Sequence, residues 1–196
     1  DKTEQFFLKK FYYSEKITSL AALLDPFSDR PEIRVFRSPY QRIHFVNRPD
    51  NPLADSILEA LSGKFAADPG FPRDTWLFME HQYQFFSNVE EFYHEFFVHA
   101  PIQMAEPPQR VLVLGAGDGL AVRELLKYPR VRSVTLVDLD PVILALARDM
   151  PLLRRMNKGS LLDPRVRTVA ADAFAWLGSC RERYDAIYCD FPTVSY

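Results

Sequence analysis

Alternating glycines and regularly placed carboxylates carry the chemistry of this chain. Gly115-Ala116-Gly117-Asp118-Gly119 follows the apolar run Val111-Leu112-Val113-Leu114, and Asp138, Asp172 and Asp190 each close a later run of strand type. Four apolar residues in succession read as a buried parallel strand. Glycines directly after it let the backbone turn tightly and approach a ligand that any Cβ would hold off. An acid at the end of the next strand, about twenty residues on, can accept both hydroxyl protons of a ribose. Asp138 stands there, so the pattern points to an adenosine-type ligand, with the spacing GxGxG in place of the dinucleotide GxGxxG.

Ligands of doubly wound sheets bind beyond the carboxyl ends of the strands, so the three acids project into one crevice. Asp172 can accept from an adenine amino group, or cap a helix beginning at Ala173. Asp190, in Tyr188-Cys189-Asp190-Phe191-Pro192, can face a reacting atom, or serve as a turn aspartate before proline. Asp140 can belong to the site, or cap the helix that Pro141 opens.

Positioning these groups requires alternating strands and helices. The pattern predicts strands at Arg110 to Leu114, Val131 to Val137, Arg165 to Ala170 and Tyr184 to Asp190, with helices at Leu120 to Tyr128, Pro141 to Met150 and Ala173 to Leu177. Pro107-Pro108 marks the hinge into this Rossmann-like region, 107–196. Before it, residues 31–106 read as a small β domain. Ile33 to Val46 and Thr75 to Phe86 are its β-rich runs, and 48–73 is a proline-rich insertion around the amphipathic piece Ala54 to Phe65. Ser87-Asn88-Val89-Glu90 is a capping-box pattern, so the connecting helix, 88–100, begins there and ends at Pro101. Residues 1–30 read as a lead-in helix or linker. The expected fold class is α/β: a Rossmann-like fold, incomplete at its C-terminal end, after a small antiparallel β domain.

The 196 residues carry a net charge of −2 with basic residues dispersed, which argues against a nucleic-acid partner. Cys180 and Cys189 form neither a disulfide framework nor a metal-ligand spacing, which fits a reducing compartment and no metal. No run of eighteen apolar residues is present. The start at Asp1 and the short tail after the last strand read as a piece of a longer protein.

Arg110 to Pro192 resembles the polyamine aminopropyltransferases, the spermidine synthase family, and particularly bacterial members whose catalytic domain follows a membrane-spanning region. The phrases VLVLGAGDGLAVRELLKYP, SVTLVDLDP, DPRVRTVAADAFAWL and YDAIYCDFP carry the likeness, with SPYQRI, LFMEHQYQF and EEFYHE upstream. The resemblance implies aminopropyl transfer from decarboxylated S-adenosylmethionine, as co-substrate, to a small-molecule amine such as putrescine. It implies a class I S-adenosylmethionine-dependent transferase fold, a homodimer, and a cytoplasmic location, as the soluble domain of a membrane-associated protein. By motif position, Gly115, Gly117, Asp118, Gly119, Asp138 and Asp140 would bind the co-substrate, with Asp138 on the ribose and Asp172 on the adenine. Gln41 and Gln84 would line the pocket and His94 would lie nearby. Asp190 would be the general base or amine orienter, with Tyr40 assisting.

Three positions depart from the family pattern, all at the substrate end. Thr193 replaces the second aspartate of the D-x-x-D-P loop, Val89 replaces the aspartate before the helix glutamate, and His81 replaces a glycine. The missing acids would weaken a diamine's hold unless Glu80, Glu90 or Glu91 substitutes. The same βαβ unit and acids would also serve an S-adenosylmethionine-dependent methyltransferase, or a nucleoside-binding module without turnover.

Overall fold

The computed structural model describes residues 33–47, 75–87 and 89–191, and they divide into two compact units. The lead-in helix, the 48–73 insertion and Thr193 lie outside the described residues.

The first unit holds described residues within 33–36 and 42–87, and builds a four-stranded sheet in the order β1-β2-β3-β4. Its strands are Ile33–Arg37 (β1), Arg42–Asn47 (β2), Thr75–Met79 (β3) and Gln82–Phe86 (β4). Each β-rich run of the sequence is thus two strands. Ile43, Phe45, Val46, Leu77 and Phe86 are buried, and Trp76 stacks on Phe86 with ring centroids 4.8 Å apart. The β3–β4 connection is the two-residue turn Glu80-His81, both at positive φ (48° and 64°). Tight hairpins want that backbone, normally supplied by Asn-Gly or Asp-Gly. Here Glu80 ties the turn down, its N–H donating to the Arg42 carbonyl (2.9 Å) and its carboxylate accepting from the Arg42 N–H (2.6 Å).

The second unit comprises described residues 37–41 and 89–191. Arg110–Gly115 (β5), Ser133–Asp138 (β6), Val166–Ala170 (β7) and Ala186–Asp190 (β8) form a parallel sheet ordered β7-β6-β5-β8. The core lies on β5 and β6, whose Val111, Leu112, Val113, Leu136 and Val137 are fully buried, as central parallel strands require. Because β5 pairs with β6 on one side and β8 on the other, the chain reverses direction across the sheet at β5. Open α/β sheets place their ligand crevice at that switch point. The helices are Glu90–Met104 (α1), Leu120–Leu125 (α2), Pro141–Asp149 (α3), Pro151–Met156 (α4) and Ala173–Ser179 (α5), with a 3-10 turn at Ser160–Leu162. None of the described helices is long and apolar enough to cross a membrane.

Three local readings are corrected. The capping box does not form: the N-cap of α1 is Val89 without a side-chain bond, and Ser87 Oγ instead accepts from the Thr75 N–H at 3.1 Å. Helix α1 does not stop at Pro101 but runs to Met104, because Val98 and Ile102 are both buried and hold the turns on either side of the exposed proline. The cost of an interior proline, about 3 kcal/mol, is tolerable when flanking turns bury apolar surface. Helix α1 also packs with α2 in the parallel-sheet unit, whereas the sequence grouped it with the β domain.

Candidate active site

The candidate site lies where β5, β6 and β8 end. Gly115, paired with Asp190 in the sheet, lies at φ +77°, and a Cβ there would come within 2.0 Å of the Asp190 carbonyl oxygen. A Cβ on Gly117 would meet the Asp138 carboxylate at 2.6 Å. The close approaches visible in the protein are therefore between its own groups, and they draw the glycine loop against the ends of β6 and β8.

Asp138 ends β6 with both oxygens engaged by backbone. Oδ2 accepts from the Gly117 N–H (2.9 Å) and Oδ1 from the Asp140 N–H (2.8 Å). Each oxygen keeps a second lone pair, the set a ribose diol would use. Burial raises the Asp138 pKa above the ordinary carboxylate value, against the two amide bonds that lower it. Asp140 is buried and does two structural jobs: Oδ1 caps α3 by accepting from the Val142 N–H (2.9 Å), and Oδ2 accepts from Gln41 Nε2 (2.8 Å). The structure thus brings Gln41 to the loop after β6. Asp172 is exposed and caps α5, accepting from the Ala175 N–H at 2.8 Å.

At the end of β8, Asp190 Oδ1 accepts a 2.7 Å hydrogen bond from the Tyr93 hydroxyl. Burial, and then the Asp190 carboxylate, hold the Tyr93 phenol far above its usual pKa, so it remains a donor at neutral pH. Asp118, inside the glycine loop, is raised by burial to about 6; the His94 charge and its own bond from the Leu120 N–H (2.9 Å) pull the other way.

Behind these groups lies a buried ionic network. Arg123 donates through Nη1 and Nη2 to Glu90 (2.6 and 3.1 Å), through Nε to Glu124 (2.7 Å), and through Nη1 to the Met156 carbonyl (2.8 Å). His94, 3% exposed, directs Nδ1 at the Glu90 carbonyl (2.8 Å) and carboxylate (2.9 Å). Both partners are acceptors, so Nδ1 carries a proton. Burial alone would raise Glu90, but the bonds from His94 and Arg123 bring its pKa below the usual range. Burial would lower His94, yet Glu90 and the Asp118 charge raise it. Glu95, His99 and Glu124 form a group of metal-ligand type, but Lys127 Nζ lies 2.5 Å from Glu124 and 3.3 Å from Glu95, so the protein supplies its own cation there.

The structure therefore gathers Gly115, Gly117, Asp118, Asp138, Asp140, Gln41 and Asp190 at one end of the parallel sheet, with Gly119 closing the loop. His94 is enclosed behind it. Tyr40 is 54% exposed, its N–H bonded to Ser38 Oγ at 3.0 Å. Gln84 lies on β4 of the antiparallel unit, its Nε2 3.4 Å from the Gln82 carbonyl. Sequence reasoning did not single out Tyr93, although it stands beside His94 in EEFYHE. It also passed over Asn157 and Ser160, whose types and spacing give no signal.

Comparison with known proteins accords with this geometry. Residues 90–194 match the family model for the spermine/spermidine synthase domain. Polyamine aminopropyltransferase 1 of Streptomyces coelicolor is 47% identical over 137 residues, covering 69% of this chain and 24% of that protein. The polyamine aminopropyltransferase of Oceanobacillus iheyensis is 43% identical over 120 residues, covering 61% and 23%. A crystal structure of spermidine synthase in complex with the transition-state analogue AdoDATO superposes with a TM-score of 0.65 at 24% identity, over 83% of this chain and 47% of that one. The chain thus spans about a quarter of the length of these curated relatives. By this match, and by the Rossmann-like sheet with its glycine loop and strand-end acids, the chain belongs to the spermine/spermidine synthase domain family.

Proposed function

We propose that this chain carries the co-substrate-binding part of a polyamine aminopropyltransferase, which moves an aminopropyl group from decarboxylated S-adenosylmethionine to a small amine such as putrescine. The observation that carries the reading is the Tyr93–Asp190 pair at the end of β8, beside Gly115 and across the switch point from Asp138. The names of the relatives support the same reaction, as does a spermidine synthase fold crystallised with AdoDATO.

When bound, the sulfonium activates its neighbouring methylene, so that an uncharged amine displaces it and methylthioadenosine leaves. Asp138 would hold the ribose diol with the lone pairs that Gly117 and Asp140 leave open, and Asp172 would take the adenine amino group. Gln41 and the loop from Gly115 to Gly119 would line the pocket, and a part for Gln84 rests on the family resemblance alone. Tyr93, kept protonated, fixes Asp190 by one oxygen and leaves the other to accept the amine's proton. A positioned general base of this kind contributes about 10²–10⁴-fold to rate. Tyr40 would assist at the amine, and His94 would act from behind the site through Glu90 and Asp118. A homodimer, a cytoplasmic location and a membrane-spanning region elsewhere in the parent protein rest on the family resemblance and belong to the same proposal.

Incubation with decarboxylated S-adenosylmethionine and putrescine tests the reading. Equimolar methylthioadenosine and spermidine are expected, with Asp190→Asn losing at least a hundredfold in rate. A methylated product from S-adenosylmethionine, with no methylthioadenosine formed, would replace it with a methyltransferase.

A further inference from the structure

The glycine loop is held from its outer side by two buried side chains beyond the active-site crevice. Asn157 follows α4, is fully buried, and uses every polar position of its amide. Its Nδ2 donates to the Asp118 carbonyl (2.9 Å) and the Ala147 carbonyl (2.8 Å), and its Oδ1 accepts from the Gly159 N–H (2.9 Å). Ser160 Oγ donates to the Gly119 carbonyl at 2.7 Å. Gly119 lies at φ +79°, and a Cβ there would sit 2.8 Å from Ser160 Oγ and 3.2 Å from Asn157 Nδ2, so the turn after α4 is packed directly against the loop.

The inner edge of the same loop faces the crevice, where the Gly117 N–H meets Asp138 and Asp118 carries a carboxylate raised to about 6. The outer carbonyls are those of Asp118 and Gly119. Apart from the Arg123 N–H on Gly119 (3.0 Å), which belongs to α2, the bonds that fix them come from Asn157 and Ser160. Glycine-rich backbone has no side chains of its own to lock it, so its conformation is set by whatever receives its polar groups. The bracing turn is itself restrained: Lys158 and Gly159 both lie at positive φ, and the Gly159 N–H returns to the Arg154 carbonyl at 2.9 Å.

We propose that Asn157 and Ser160 are positioning residues for the co-substrate, holding the glycine loop so that Gly117 and Asp118 face the nucleoside and the group it carries. The inference rests on the functional reading above. Neither residue touches the ligand; each acts through a loop carbonyl. Loss of either brace loosens the loop, so nucleoside affinity falls while the amine acceptor, bound elsewhere, is unaffected.

The test uses the full chain with Ser160→Ala and, separately, Asn157→Ser, at a temperature where circular dichroism shows each variant folded. Methylthioadenosine binding is measured by calorimetry, and steady-state KM values are measured for decarboxylated S-adenosylmethionine and putrescine. Both variants are expected to raise the methylthioadenosine Kd and the KM for decarboxylated S-adenosylmethionine about tenfold, with the putrescine KM within twofold of the unaltered chain. A lowered Tm with Kd and both KM values unchanged would overturn the inference and leave the two residues purely structural. Should Asn157→Ser fail to fold, Ser160→Ala alone decides, because it removes a single hydroxyl. If the unaltered chain bound no methylthioadenosine, the functional reading would fail, and this inference with it.

Discussion

Tyr93 and Asp190, 97 positions apart in the chain, share a 2.7 Å hydrogen bond in which the phenol donates and the carboxylate accepts. The bond engages one Asp190 oxygen; on the proposed function the other would receive the incoming amine. Tyr93→Phe should lower kcat about tenfold or more while leaving methylthioadenosine affinity within twofold, since on the proposed function the phenol would orient the base and not the nucleoside. Rapid-quench single-turnover kinetics separates the two effects. An unchanged rate would show that Asp190 needs no such support.

Arg123 anchors two buried carboxylates, Glu90 and Glu124, and is itself only 5% exposed. Truncating it takes the guanidinium from both, leaving Glu90 with His94 and Glu124 with Lys127. Arg123→Met should destabilise the protein by about 3–5 kcal/mol, the range for breaking a buried ion pair by removing one partner. Urea denaturation measures this directly. A loss below about 1 kcal/mol would mean that water reaches the network.

Gly117 cannot accept a side chain where it stands. Gly117→Ala places a Cβ 2.6 Å from Asp138 Oδ2 and 2.7 Å from Ile143 Cγ2, so either the carboxylate or α3 must move. Overpacking of this kind costs about 1–3 kcal/mol. Nucleoside affinity should fall at least tenfold through the displaced Asp138, and the stability loss should be readable in the same preparation.

Stability should also depend on pH through Asp118. Its folded pKa, about 6, lies above that of an ordinary carboxylate, so between roughly pH 4 and 6 the folded chain keeps a proton the unfolded chain has released. Stability therefore falls as pH rises through that window, by on the order of 2 kcal/mol. His94, also raised, adds stability that is complete below its unfolded pKa and is lost as pH rises through its folded one. Glu90, lowered, acts oppositely, losing its contribution as pH falls through its folded pKa. Asp118→Asn should remove the fall between pH 4 and 6, as chemical unfolding at a series of pH values would reveal.

What the sequence made legible follows from locality. The unit from β5 to β6 was readable because Val111 to Leu114, the three glycines and Asp138 each declare a local backbone state, and those states agree. Asp140 was readable as a cap because Pro141 follows it. The failures trace to distant partners. Glu90 looked like half of a capping box, yet Arg123, 33 residues away, draws its carboxylate elsewhere. The Glu80-His81 turn was invisible because it adopts positive φ without the Gly or Asn that advertises it. Helix α4 went unread: the sequence ended α3 correctly near Met150 but assigned no element to Pro151–Met156. Tyr93, Asn157 and Ser160 acquire their roles only when the sheet brings Asp190 and the glycine loop to them.

The central claim is the identity of the bound nucleoside, and calorimetric titration of the full chain with decarboxylated S-adenosylmethionine, and in parallel with S-adenosylmethionine, tests it most directly. The two differ by one carboxylate, which would enter a crevice already holding Asp118, Asp138 and Asp190. Tighter binding of the decarboxylated form by at least tenfold, abolished by Asp138→Ala, is the predicted result. Equal or tighter binding of the carboxylated form would contradict the account.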